Sequence, residues 1–412
     1  MAVIPSIIAG HAARFPEHAA IVVADGGDLS YGELASSVTC LSQMLVENGL
    51  DRGDTVGIAL GDGIDLALSF LAVANVCAAA PLNPTYRVRE FQFEIEDLSL
   101  AAMIVGEGDA EVPAAVQAAR ECNVPVVRVV RSGAEPGAIA FESAALPGDA
   151  QAPKAHTPDA IPPRLPADDD VALVLHTSGT TARPKIVPLT HANIAASASA
   201  IGRTLGLTSH DRGCCVMPLF HIHGLMAGLC ASLVAGASVI ATPGFAAPSM
   251  ARWLVSHSAS WYTAVPTMHQ ALLERRRVAG DEFEMVDLRF IRSSSASLAP
   301  TVMEELESAF GCAVVESYGM TEAAHQVSSN PLPPDPRKPG SVGVPAGPQV
   351  EVMGTSGELL GPDSVGEVVV KGPNVMTSYR GDQGATREAF EAGWFRTGDQ
   401  GRVDHEGYLF LT

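Results

Sequence analysis

Short apolar runs alternating with amphipathic stretches constrain this chain more than any other feature. Residues 20–23, 55–59, 102–105 and 126–130 are brief runs of mainly small and branched apolar side chains. Residues 31–48 and 66–79 are helix candidates standing among them. Runs this short fit strands buried on both faces. Strands alternating with helices imply a parallel sheet wrapped by helices.

The pattern dissolves from residue 132 to 170 into Pro, Ala, Gly and acidic residues, which reads as a long surface connection. It resumes at 171 and continues to about residue 330. After the stretch PLPPDPRKPG at 331–340 the period changes. Short strands at 349–353 and 367–371, with turn signals between them, make a small β unit. A length of 412 residues fits two or three compact units, here 1–165, 166–330 and 331–412.

The formal net charge of −20 leaves no basic stripe to displace counterions, which argues against non-specific nucleic-acid binding. It leaves room for a nucleotide site, whose positive potential can come from backbone N–H groups, Mg²⁺ and one lysine. The seven cysteines are scattered and form no CxxC pair, so neither a disulfide frame nor a zinc site is indicated, and a reducing compartment is expected. Cys214 and Cys215 read as small buried residues at the start of a strand. The N-terminus lacks a basic segment, and Pro5 interrupts its apolar patch, so no secretory signal is expected.

Residues 214–251 contain no Lys, Arg, Asp or Glu, a span long enough to cross a bilayer. Yet Gly224, Gly228, Gly236, Gly244 and Pro243 divide it into a helix at 224–234 and a strand at 238–242. A buried helix and strand are expected, and no membrane span.

Four polar clusters stand where a strand should end and a loop begin. They are TSGTTARPK at 177–185, RSSSAS at 292–297, YGMTE at 318–322, and His221 with His223. Open parallel sheets bind ligands outside the carboxyl ends of their strands, so the four favour one common site. The first cluster is not a Walker A box, since Pro184 rather than Gly precedes Lys185. No G-x-G-x-x-G follows a strand, and no G-x-S-x-G elbow is present. The physical requirement of a phosphate cradle is nevertheless met. Gly179 permits close backbone approach, Thr177, Ser178, Thr180 and Thr181 offer donors, and Lys185 adds a point charge. Read in isolation, His221-x-His223 fits either metal ligands or satisfied core histidines.

With these residues in view, TSGTTARPK resembles the phosphate loop of the AMP-forming adenylating enzymes: acyl-CoA synthetases, firefly luciferase and the adenylation domains of peptide synthetases. YGMTE and WFRTGDQG (394–401) resemble that family's second and third signatures, in the same order. MPLFHIHGL (217–225), RFIRSSSASLAP (289–300) and ESYGMTEAAHQVSSNPLPP (316–334) are most similar to oxalate–CoA ligases. The resemblance implies an α/β fold: two parallel-type sheets wrapped by helices plus a small distorted β-barrel subdomain.

It also implies a chemistry. A carboxylate attacks the α-phosphorus of ATP, giving acyl-adenylate and pyrophosphate, and the thiol of coenzyme A then displaces AMP. Thr177–Thr181 and Lys185 would hold the β- and γ-phosphates. Thr321 would touch the α-phosphate, and Glu322 would hold Mg²⁺. Tyr318 would stack on adenine in the Tyr318-Gly319-Met320 turn, with Glu316, Ser317, Ser295, Ala296 and Ser297 along the base. Asp399 would accept the ribose hydroxyls. For the acid, most simply oxalate, His221, His325 and a serine among Ser293, Ser294 and Ser295 would supply donors. Malonate, another short or medium-chain acid, or a non-catalytic nucleotide-binding module are the alternatives.

Two residues depart from the family's usual loop. Ala182 and Ile186 stand where glycine is common, and a β-branched Ile186 would suffer if its backbone were left-handed. Family members also continue beyond the position of GYLFLT (407–412) with a hinge and a rotating C-terminal domain that carries the adenylation lysine. The expectation is therefore a large N-terminal part, which binds ATP and acid but turns over weakly alone. A cytoplasmic location is expected, with a peroxisomal C-terminal tripeptide still compatible.

Overall fold

Local signals account for the first elements of the computed structural model, which describes residues 3–107, 112–133, 135, 137–144, 165–177 and 184–412. The Ser30 hydroxyl accepts from the Glu33 backbone N–H at 3.2 Å, and the Glu33 carboxylate accepts from the Ser30 N–H at 2.8 Å. This capping box starts helix Tyr31–Glu47. The helix buries Leu34, Val38, Leu41 and Leu45 along one stripe, against the almost wholly buried helix Ile64–Val76. Each such leucine contributes about 2 kcal/mol by leaving water, so packing rather than propensity holds the helix.

The helix expected at 66–79 ends at Val76. Ala78–Pro81 instead forms a strand in parallel register with Thr55–Ala59, from Thr55↔Ala78 to Ile58↔Pro81. The helical preference of alanine yields to a central place in a sheet.

Seven strands form one sheet in the order Ile139–Ala144, Val126–Arg131, Ala102–Val105, Thr55–Ala59, Ala78–Pro81, Val171–His176, Ile186–Thr190. Its centre is parallel, with one antiparallel pair at each edge. The edge strand Ile139–Ala144 falls within the stretch expected to be a surface connection. It pairs over six positions with Val126–Arg131, with Ile139 and Phe141 turned into the core.

A nine-stranded sheet runs Val344–Pro345, His325–Ser329, Ala313–Met320, Phe290–Ser293, Trp261–Ala264, Arg212–Cys215, Ser238–Ala241, Ala19–Val23, Asp28–Ser30. It too is parallel in the middle and antiparallel at the edges. The sheets exchange strands across the expected segments: residues 19–30 join the nine-stranded sheet, and residues 171–190 join the seven-stranded one.

The charge-free stretch folds as expected. Gly224–Cys230 winds as a π-helix, Ala231–Ala235 as an α-helix ending at Gly236, and Ser238–Ala241 as a strand, nearly all of it buried. Cys214 and Cys215 are buried at the end of strand Arg212–Cys215, not at its start. Among the described residues no helix is long and apolar enough to cross a membrane.

The last unit is an antiparallel sheet of Gln349–Met353, Gly366–Lys371, Trp394–Val403 and Phe390–Glu391, with Leu409–Leu411 on Trp394–Val403. It curls into half of the expected barrel.

The register of the larger sheet sets up the site. Cys215 pairs with Thr263, Ala264 with Ser293, and Ser293 with Glu316, so the parallel pairing of four strands ends at nearly one level. The loops that follow open onto the same side.

Candidate active site

A cavity of about 1180 Å³ opens at those carboxyl ends, walled by both large sheets and by the curled sheet. Thr177, Lys185, His221, Ser295, Gly319, Met320, Thr321, Glu322, His325 and Asp399 all line it and come from five separate parts of the sequence. Ser178, Gly179, Thr180, Thr181 and Ala182 lie outside the described residues.

The two ends of the phosphate-loop sequence are pinned together. Thr177 N–H donates to the Lys185 carbonyl at 3.0 Å, and Lys185 N–H donates to the Thr177 hydroxyl at 3.1 Å. His176 and Ile186 then pair in the antiparallel edge. Ile186 therefore opens a strand, in backbone that suits a β-branched residue, and the left-handed strain considered for it does not arise. Beside the loop, His176 is held between Glu94 at 2.7 Å and Asp97 at 2.8 Å. The two carboxylates raise its pKa against the opposing effect of burial.

Glu322 sits in the short turn Thr321–Ala323 that follows strand Ala313–Met320. Ala324 at φ +46 and His325 at φ +85 reverse the chain there. Tyr379 donates to Glu322 Oε1 at 3.0 Å, and the Lys185 ammonium lies 4.7 Å from the centre of the Tyr379 ring. Burial pushes the Glu322 carboxyl up, with Tyr379 and Lys185 acting the other way. One carboxylate facing a phosphate-sized space beside an ammonium is a donor set that Mg²⁺ accepts when phosphate oxygens complete its shell. Among the described residues no cluster of three or more His, Cys, Asp or Glu could hold a metal without such help.

Asp399, on strand Trp394–Val403, lines the cavity and accepts a hydrogen bond from the Tyr318 hydroxyl. Tyr318 itself stands behind that contact rather than in the wall. Glu316, Ser317, Ser293 and Ser294 are not brought to the cavity either. Ser294 Oγ donates to the Ser317 carbonyl at 2.9 Å and Ser317 Oγ to the Ser293 carbonyl at 3.2 Å, stitching two strands together. Ala296 and Ser297 are exposed in the loop beyond Ser295 and also lie off the wall.

Glu316 Oε1 accepts from Leu298 N–H at 2.8 Å while Oε2 is buried without a partner. Burial pushes the carboxyl up to about 7, from an ordinary 4.5. A folded pKa above the unfolded one means that its proton stabilises the fold fully below about 4.5, and that this stability is lost as pH rises through about 7. Glu316→Gln should therefore gain on the unaltered protein by about 2 kcal/mol between pH 5 and pH 8, allowing for partial solvent screening. Thermal unfolding of both proteins at four pH values reads this; a constant difference between them would refute it.

The part of the cavity around His221 and His325 holds residues to which the sequence alone gives no role. His223 was left without a role. Its Nδ1 lies 2.9 Å from Ser295 Oγ and its Nε2 2.7 Å from Thr263 Oγ1, and its ring stacks on His325 at 4.7 Å. Both nitrogens are engaged by protein groups, which disfavours the metal-ligand reading of His221-x-His223. Arg292 was quoted only as the start of RSSSAS, yet it is fully buried behind both histidines. The available signal was a charged residue directly after Phe290-Ile291, still within the ordinary span of a buried strand. Desolvation keeps His221, His223 and His325 below their ordinary pKa, so these rings are neutral near pH 7.

Known proteins agree with this geometry. Residues 8–380 match the AMP-binding enzyme family. An oxalate–CoA ligase of Arabidopsis thaliana is 40% identical over 406 residues, covering 97% of this chain and 76% of the relative. A sulfoacetate–CoA ligase of Cupriavidus necator is 33% identical over 411 residues, covering 99% and 77%. The ATP-bound crystal structure of MatB from Rhodopseudomonas palustris superposes with a TM-score of 0.83 at 28% identity, over 99% of this chain and 78% of that one. Three signatures that the fold gathers at one cavity, and a family match that spans most of the chain, lead to one conclusion: this protein is a member of the AMP-binding enzyme family.

Proposed function

We propose that the protein activates a small dianionic carboxylic acid, oxalate before others, to an acyl-adenylate at the expense of ATP, and passes the acyl group to coenzyme A. The observation that carries this reading is the acid end of the cavity. His221, Ser295 and His325 line it with a buried guanidinium behind them, where a fatty acid would want an apolar tunnel. Oxalate–CoA and sulfoacetate–CoA ligases are both among the relatives, and each named acid is small and doubly charged at neutral pH.

In the first half-reaction a carboxylate oxygen forms a bond to the α-phosphorus as the bond to pyrophosphate breaks. Nucleophile and target are both anionic, so positioning and charge neutralisation carry the rate. Lys185 would neutralise phosphate oxygens from the pinned end of the loop. The Thr321 hydroxyl would donate to the α-phosphate, and Asp399 would accept from the ribose. Tyr379 would hold the Glu322 carboxylate aimed at the phosphates. Mg²⁺ bound by Glu322 would supply further charge neutralisation on those oxygens. In the second half-reaction the thiol of coenzyme A adds to the acyl carbon and AMP departs.

Acid-dependent ATP–pyrophosphate exchange with oxalate, malonate, sulfoacetate, acetate and octanoate tests the reading. Exchange is expected with oxalate; exchange with octanoate but none with oxalate would defeat it. Tight ATP binding without exchange for any acid would favour a non-catalytic nucleotide-binding module. Within the pocket, His325→Ala should weaken oxalate use about tenfold while changing ATP affinity less than about twofold. Equal losses of both would remove His325 from acid recognition.

A further inference from the structure

Among the described residues Arg292 has no carboxylate partner, although a buried charge is normally paired. Its guanidinium donates from one nitrogen to His223 Nε2 and to Thr263 Oγ1, each at 3.3 Å. The other nitrogen donates to His325 Nε2 at 3.1 Å and to Gln326 Oε1 at 3.4 Å. All four partners are neutral. The positive charge is therefore balanced by nothing the described residues supply.

A guanidinium can only donate. Each imidazole nitrogen it meets is then the bare acceptor. The Thr263 hydroxyl, 2.7 Å from the same His223 Nε2, donates there while its oxygen accepts from Arg292. A neutral ring with a bare Nε2 carries its proton on Nδ1. His223 Nδ1–H consequently donates to Ser295 Oγ at 2.9 Å. With one lone pair taken, the Ser295 hydroxyl keeps its hydrogen for another acceptor, and Ser295 lines the cavity with its backbone held at φ +70. His325 also lines the cavity, and its Nδ1 lies beside the side-chain-free Gly319.

We infer that Arg292 is a positioning residue for acid recognition: it locks His223 and His325 as neutral Nδ1–H donors, so that the Ser295 hydroxyl and His325 present donors, backed by a positive charge, to the second anionic group of the substrate. The inference deepens the reading of the cavity as a site for a small dianionic acid and rests on it. The missing counter-charge of Arg292 is the substrate itself. The titratable and charged groups facing the two rings are Arg292, each other, His221, and His269 on helix Pro266–Val278. None of these is a carboxylate, so no group among them favours protonating the rings, and acid affinity stays level from pH 6 to pH 8.

Two measurements test this. Long-range ¹H–¹⁵N spectra of the histidines in the unaltered protein, assigned with His223→Gln and His325→Gln, should show both as Nδ1–H tautomers that do not titrate between pH 6 and pH 8. In Arg292→Gln the Nε2 resonance of at least one ring should shift or give way to the Nε2–H tautomer, because the guanidinium that makes Nε2 an acceptor is gone, while burial still keeps the rings neutral. An Nε2–H tautomer for either ring of the unaltered protein, or spectra indifferent to Arg292→Gln, would overturn the inference. Calorimetric titration with oxalate should show about a tenfold or greater loss in Arg292→Gln and partial recovery in Arg292→Lys. Oxalate affinity unaltered by Arg292→Gln would equally overturn it. Failure of the unaltered protein to bind oxalate, malonate or sulfoacetate would instead sink the proposed function and the acid half of this inference with it, leaving the spectra to decide the tautomers.

Discussion

Glu322→Gln is expected to lower the affinity for Mg·ATP by roughly a hundredfold. The substitution keeps the shape and the hydrogen bond from Tyr379, which lies 3.0 Å from Oε1. What it removes is a negative charge where a cation bridging to phosphate would sit. A second signature accompanies the loss. Burial raises the pKa of Glu322, so a proton competes with the cation for the same carboxylate. Binding of Mg·ATP should therefore release protons and strengthen as pH rises through the raised pKa of that carboxyl. Calorimetry in two buffers of different ionisation enthalpy measures both effects. An affinity unchanged in Glu322→Gln, or proton release that persists in it, would show that Glu322 is not the metal-binding carboxylate.

Gly319→Ala is the substitution expected to damage the site most through the fold. A Cβ at residue 319 would lie 1.8 Å from the His325 carbonyl oxygen and 2.6 Å from its carbonyl carbon, both backbone atoms that no rotamer change can move. Gly319 pairs with Gln326 in the tight return between strands Ala313–Met320 and His325–Ser329, where the register already shifts between Tyr318 and Gly319. Relief requires the two strands to separate, shifting Thr321, Glu322 and His325 together. A loss of about 3 kcal/mol is expected, at the upper end for overpacking a buried position. Thermal unfolding should drop by several degrees, with ATP and acid binding lost in parallel. A protein as stable as the unaltered one, binding both ligands normally, would show that this strand return is far softer than its contacts indicate.

Much of the site was legible because its chemistry depends on residue types that are conspicuous in an apolar background. Thr177, Lys185, Thr321, Glu322 and His221 stood out as polar groups after buried runs, His325 and Asp399 came from the family resemblance, and all reach the cavity. Ser293 and Ser294 stood out as polar residues in the same way, and Ser317 came from the resemblance, but their hydroxyls bind backbone carbonyls of neighbouring strands or sit buried in the sheet. A serine beside a loop looks the same in sequence whether it faces a ligand or the strand next door. Arg292 and His223 failed in the other direction. Each belongs to a cluster flanked by apolar residues, and only the packing of helix Gly224–Cys230 against strand Trp261–Ala264, with the register of that strand on Phe290–Ser293, brings Arg292, His223, Thr263 and His325 together.

The fold divides along similar lines. The α/β class, the buried charge-free stretch and the closing β unit followed from periodicity, because burial on one or both faces leaves a local imprint on residue order. Strand membership did not. Residues 19–30 left their neighbours for the larger sheet, and 171–190 joined the smaller one, through pairings between segments far apart in sequence. Alanines 78–80 became a strand for the same reason. By itself the sequence determined which residues avoid water and which cluster as polar loops, since both are properties of adjacent side chains. Only the tertiary structure decided which strands lie side by side, and hence which loops share a cavity, which serines face it and why a bare guanidinium sits behind two histidines. Those outcomes depend on register and long-range packing, which no short window of residues records.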